Sequence, residues 1–128
     1  MNGRLLLDTN AVVSFLAGDP AAVARVTEAT NGIPAIVVGE LYYGAYQSQR
    51  TQSNITAIED LLMVCAVLKC DAQTGRTFGQ IKADLRRLGK PIPDNDIWIA
   101  ATALQNSMTL LTRDAHFQHV AGLQTATW

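Results

Sequence analysis

Short apolar runs alternate along this chain with longer stretches of helical periodicity. Leu5-Leu6-Leu7 is too brief for a helix and lacks polar alternation, so it predicts a strand buried on both faces, as in the centre of a parallel sheet. The run stops at Asp8-Thr9-Asn10, ahead of a helix over Ala11 to Ala17 in which Ala11, Val12, Phe15 and Leu16 recur at helical spacing. Gly18-Asp19-Pro20 closes that helix, and Ala21 to Thr30 reads as a second, with Val23 and Val26 inward. Asn31-Gly32 is a turn signal, followed by a second extended segment from Ile33 to Val37. Val38 to Tyr46 predicts a helix with Glu40 in its first turn and Tyr42 and Tyr46 on one packing face.

The polar run Gln47 to Asn54 reads as a loop or fraying helix end. Ile55, Ile58, Leu61 and Leu62 then mark a helix that Ser53 or Asn54 would cap. Cys65 to Leu68 is the third strand candidate, and Asp71 fits the N-cap of a long helix, Ala72 to Leu88, stopped by Gly89. A rigid loop from Pro91 to Asp96 feeds a helix over Ile97 to Asn106 that is apolar almost all round and therefore belongs in the interior. Met108 to Leu111 gives a fourth strand, Ala115 to Phe117 a short helical turn, and Leu123 to Trp128 an edge strand. Strands alternating with helices, across connections too long for hairpins, indicate one α/β domain over 1–128. The expected form is three layers around a mainly parallel sheet with right-handed crossovers.

Composition narrows the class. With 48% hydrophobic and 16% charged residues the chain carries enough apolar material for a filled core and does not resemble a disordered segment. Its net charge of −1 removes any global electrostatic case for binding a polyanion, so such a site would have to be local. Lys82, Arg86, Arg87 and Lys90 suit the last turn of a helix and the residues after it, and read first as a solvated face, with Arg113 as a further source of weak steering. Cys65 and Cys70 match neither a redox pair nor a zinc knuckle and are expected to be buried, reduced thiols. No signal-peptide layout or bilayer-length apolar run is present, which points to a cytoplasmic protein with no membrane contact.

The acids carry the candidate chemistry. Asp8 and Asp114 follow apolar strands, while Glu40 and Asp96 fall in predicted first turns of helices. In a parallel α/β sheet these ends share one edge, the edge where ligands bind. Carboxylates gathered there repel one another, and either they take up protons or a cation relieves them. Oxygen-only donors suit hard ions such as Mg²⁺ or Mn²⁺, which promote phosphodiester hydrolysis by lowering the pKa of water. Each acid also has an ordinary explanation: a carboxylate in the first helical turn, as expected for Glu40, is favoured by the helix dipole, and Asp94 reads as an N-cap first and an auxiliary ligand second. His116 and His119 read as surface or packing residues. A non-catalytic acidic module for a basic partner remains a rival, as does a Mg²⁺-dependent phosphatase using Asp8 as nucleophile. The phosphatase would want a second acid where Asn10 stands, and it leaves Glu40 idle.

Four segments also resemble, in order, the motifs of PIN-domain ribonucleases, most closely the VapC toxins of type II toxin–antitoxin pairs. They are Leu5 to Asn10, Gly39 to Ala45, Pro91 to Ala101 and Leu111 to Phe117. The resemblance implies a three-layer α/β/α PIN-like fold and Mg²⁺- or Mn²⁺-dependent endoribonuclease activity on RNA, tRNA among the possible substrates. It further implies homodimerisation and inhibition by a VapB-type antitoxin. Carried over by position, the family's acids are Asp8, Glu40, Asp96 and Asp114, with Thr9, Asn10, Asn95 and Thr112 as water-holding or supporting groups and Asp94 as a possible auxiliary ligand.

Overall fold

The structure is a computed structural model and describes residues 3–128. Its centre is β1 (Arg4–Leu7), flanked on one side by β2 (Thr30–Pro34) and on the other by β4 (Thr109–Leu111). β3 (Ala66–Leu68) lies beyond β2 and β5 (Thr125–Ala126) beyond β4, in the order β3-β2-β1-β4-β5, with every pairing parallel. Leu5, Leu6 and Leu7 stand opposite Thr109, Leu110 and Leu111. Leu6, Leu7, Leu110, Leu111 and Ile33 of β2 are fully buried, as the uninterrupted apolar runs require of strands covered on both faces.

The chain first builds outward from β1 to β2 and β3, then returns to the opposite side of β1 for β4 and β5. That reversal places a topological switch point between β1 and β4, where an open α/β sheet leaves a crevice at the carboxyl ends of its strands. Six helices cover the sheet among the described residues, giving a three-layer α/β/α arrangement: α1 (Thr9–Leu16), α2 (Pro20–Thr27), α3 (Ala35–Gln47), α4 (Thr51–Leu62), α5 (Ala72–Leu88) and α6 (Asp94–Gln105). A 3₁₀ turn over Ala115–His119 follows β4.

The long helix α5 has the predicted bounds. Asp71 and Thr74 form a reciprocal capping box at its start, and Gly89 ends it at φ +67°, the left-handed conformation that glycine adopts without penalty. The carboxyl of Asp71 is held below its usual range by the Thr74 backbone N–H first and by the Gln105 and Thr74 side chains after it. Arg87 pairs with Asp84 one turn back, in keeping with a solvated basic face.

Other boundaries move for identifiable reasons. Asn31-Gly32 is not a turn but part of β2, because the Asn31 amide donates to the carbonyls of Val26 at 2.8 Å and Ala29 at 3.1 Å and so ties off the end of α2. Helix α2 consequently stops at Thr27, short of the expected Thr30. Gly32 is needed for space: a Cβ there would lie 2.5 Å from Leu68 Cδ2 and 3.0 Å from Met108 Cε. Gly32→Ala is therefore expected to cost about 1–3 kcal/mol, read as a lower urea midpoint with an unchanged slope. An unchanged midpoint would mean that both side-chain ends relax freely.

Pro34 ends β2 and passes directly into α3, so Ala35 to Val37 are helical rather than extended. Ser53 and Asn54 lie inside α4 instead of capping it, and Asn54 bonds back to the Ser48 hydroxyl at 2.9 Å. Asp94 is the first residue of α6, which has no side-chain cap, and its carboxylate pairs with Lys82 at 3.0 Å. Of the two thiols, Cys65 is half-buried and Cys70 exposed, against the expectation that both are interior. Tyr42 and Tyr46 do stack, at 6.3 Å between ring centres, but Tyr46 is exposed.

Candidate active site

The switch point collects the acids. Asp8 leaves β1 as the N-cap of α1, its Oδ1 accepting the Ala11 N–H at 2.7 Å, and the residue is only 5% exposed. Its own N–H reaches the Leu111 carbonyl at 3.4 Å, tying the ends of β1 and β4 together. Thr112 follows β4, buried, and its hydroxyl accepts the Asp114 N–H at 3.0 Å. Asp114 in turn caps the 3₁₀ turn by accepting the His116 N–H at 2.9 Å. Asp96 projects from the first turn of α6.

Glu40 arrives from α3, but not from its first turn. Since α3 begins at Ala35, Glu40 sits in the second turn, and the helix dipole does not account for its position. Instead it lines a cavity of about 460 Å³ with Thr9, Ile36, Gly39, Tyr43 and Asn95. Glu40 Oε1 and Thr9 Oγ1 are both buried without a hydrogen-bond partner. A buried polar atom left unpaired costs about 1–3 kcal/mol, so two of them beside several carboxylates mark a place built for something else.

The electrostatics agree. Burial pushes the Asp8 carboxyl above its ordinary range; the Thr112 hydroxyl and Ala11 N–H oppose this, and the carboxylates of Asp114 and Asp96 add to it. Glu40 is also raised, by burial first and then by Asp96 and Asp8; the Thr9 hydroxyl, near but outside bonding geometry, offsets part of that rise. Asp8 thus feels the charge of Asp96 and Asp114, and Glu40 that of Asp96 and Asp8. Asp96 and Asp114 also converge on His116: Nδ1 lies 3.0 Å from Asp96 Oδ2 and 3.2 Å from Asp114 Oδ1. Ligand atoms of these three residues all lie within 4.8 Å of one another. The hydrogen bond that the ring donates to Asp96, then the Asp114 carboxylate, raises the imidazole pKa.

His116 is exposed, as expected of a surface residue, but it also lies between two acids, whereas His119 is exposed and joins no such cluster among the described residues. A signal for His116 exists in the sequence, since it lies two residues past an acid that caps the same turn. Of the supporting candidates, Thr9 and Asn95 line the Glu40 cavity and Thr112 braces Asp114, while Asn10 is exposed and Asp94 is engaged by Lys82. Arg113 donates to the Trp128 carbonyl and lies over its ring at 4.5 Å.

A buried Asp8 beside the half-buried carboxylates of Glu40, Asp96 and Asp114, with an orphaned Glu40 oxygen, fits a hard divalent cation. The fold, the switch-point crevice and this acidic cluster define a PIN domain, and residues 5–123 match that family. The chain belongs to it, and within it to the VapC group. It is 35% identical to "Ribonuclease VapC2" of Haemophilus influenzae, over 98% of both chains, and 33% identical to the "tRNA(fMet)-specific endonuclease VapC" of Shigella flexneri, also over 98% of both. The structure of VapBC-1 from nontypeable Haemophilus influenzae superposes with a TM-score of 0.87 at 32% identity, covering 98% of each chain.

Proposed function

We propose that this chain is the endoribonuclease toxin of a VapBC pair, and that Asp8, Glu40, Asp96 and Asp114 hold the divalent cation, Mg²⁺ or Mn²⁺, on which RNA cleavage depends. The observation that carries this reading is the buried, partnerless Glu40 oxygen within electrostatic reach of Asp96 and Asp8 at the switch point. A bound divalent ion supplies a water of lowered pKa and offsets charge that builds on the phosphate in the transition state. The protein's own part is positioning. Asp8 is fixed by the Ala11 N–H, and Asp114 is fixed by the Thr112 hydroxyl bond to its backbone. Glu40, its Oε1 unoccupied by any protein donor, orients the attacking water and accepts its proton. Water adds to phosphorus as the bond to the leaving ribose oxygen breaks, that oxygen takes up a proton from solvent, and no covalent enzyme intermediate forms.

Ribonuclease and tRNA endonuclease names among the relatives support RNA as the substrate class, and VapBC complexes among the related structures support a VapB-type antitoxin as partner. An apolar groove of about 600 Å³ runs from Thr9 and Glu40 along Val13, Leu16 and Ala57, a suitable seat for an antitoxin segment that would block the site. Homodimerisation and a cytoplasmic location follow from the same family reading. No helix among the described residues is long and apolar enough to cross a membrane.

Incubating total cellular RNA with the purified protein tests the activity, with EDTA expected to abolish cleavage and Mn²⁺ or Mg²⁺ to restore it. Metal-free protein titrated with Mn²⁺ is expected to gain about 2.7 kcal/mol of stability once the ion reaches 100 times its dissociation constant, seen as a rising melting temperature. A non-catalytic acidic module would show neither cleavage nor this gain. The phosphatase reading fits less well, because Asp8 is buried and already accepts a backbone bond.

A further inference from the structure

We infer that His116 is a ligand of the cation through Nδ1, so that this chain carries a mixed nitrogen–oxygen centre and not an all-carboxylate one. The inference rests on the metal reading above and deepens it. Donor atoms at about 2.1 Å from an octahedral ion lie roughly 3 Å apart along an edge of the shell. His116 Nδ1 is 3.0 Å from Asp96 Oδ2 and 3.2 Å from Asp114 Oδ1, which are the separations of neighbours in such a shell.

The imidazole is also held where it can serve. Its backbone N–H is fixed by Asp114 Oδ1, and the next residue, Phe117, anchors the same turn in the core. The ring side chain remains 49% exposed, so nothing in the packing demands that it lie between two acids. Nitrogen donors strengthen binding along the series from Mn²⁺ to Co²⁺ and Ni²⁺, whereas Mg²⁺ depends on oxygen ligands and retained water. Losing the imidazole should therefore weaken Co²⁺ binding far more than Mg²⁺ binding.

The test uses untagged protein, in which His119 is the one other histidine. Mn²⁺-loaded wild type, His116→Ala and His119→Gln are compared by pulsed electron paramagnetic resonance for nitrogen modulation, and Co²⁺ and Mg²⁺ affinities are measured by calorimetry. Nitrogen modulation should appear in wild type and His119→Gln and vanish in His116→Ala. Co²⁺ affinity should fall at least about tenfold in His116→Ala, with Mg²⁺ affinity changing less than about threefold. Bound Mn²⁺ without nitrogen modulation in wild type, or modulation that survives His116→Ala, would overturn the ligand assignment and leave the acidic metal site standing. Absence of any Mn²⁺ binding would overturn both.

Discussion

Asp8→Asn is expected to lower RNA cleavage by more than about 100-fold with the fold intact, since even outer groups around a metal are worth 10–100-fold. The side chain sits at the end of the central strand, 5% exposed, with Oδ1 on the Ala11 N–H. Asparagine is isosteric, keeps that acceptor and is itself a good N-cap. What it removes is the charge. Without metal, that charge is a burden: burial raises the Asp8 carboxyl, and Glu40 is raised alongside. The native protein then keeps protons to higher pH than the unfolded chain does, so ion-free stability falls as pH rises from the ordinary carboxylate range through the raised values. Asp8→Asn should flatten part of that decline in EDTA and reduce the stability gained from Mn²⁺ near neutral pH. Melting curves from pH 4 to 8, with and without the ion, separate these effects. Undiminished cleavage by the variant would remove Asp8 from the machinery.

The same physics explains what could be read from residues alone. Leu5-Leu6-Leu7 announces a doubly covered strand because no half-exposed strand tolerates three leucines in succession, and the Asp71–Thr74 and Gly89 signals bound α5 because capping is local chemistry. Asp8 and Asp114 could be assigned a common address because parallel topology puts strand exits on one edge. Local signals mislead where a contact from elsewhere in the chain absorbs them. Asn31-Gly32 looked like a turn, yet its amide closes α2 and its missing side chain makes room for Leu68 and Met108. Glu40 reads as a first-turn residue from sequence because the apolar run Ile33 to Val37 hides the helix that begins directly after Pro34. His116 carries only the local sign of its place two residues past Asp114, because its other partner Asp96 lies 20 residues away in the chain, on a different element. Long-range pairing of that kind has no periodic signature.

Phe117→Ala should cost about 3–5 kcal/mol, lowering the melting temperature by roughly 10–20 °C. Phe117 is among the largest fully buried side chains, at 2% exposed, yet it belongs to a five-residue 3₁₀ turn with few internal bonds of its own. Its ring lies in the apolar core to which Val120 also belongs, and so anchors the turn that carries Asp114 and His116. Removing the ring leaves a cavity and frees the two residues that face Asp96, so ion affinity should fall along with stability. Leu85→Ala supplies the control: Leu85 is equally buried but lies in α5, and its truncation is expected to cost about 2–5 kcal/mol. Compared at a temperature where both variants are folded, Mn²⁺ affinity should drop at least several-fold in Phe117→Ala and stay near wild type in Leu85→Ala. Equal losses in the two would mean that the turn is held by the sheet as a whole, and that Phe117 has no particular part in presenting Asp114 and His116.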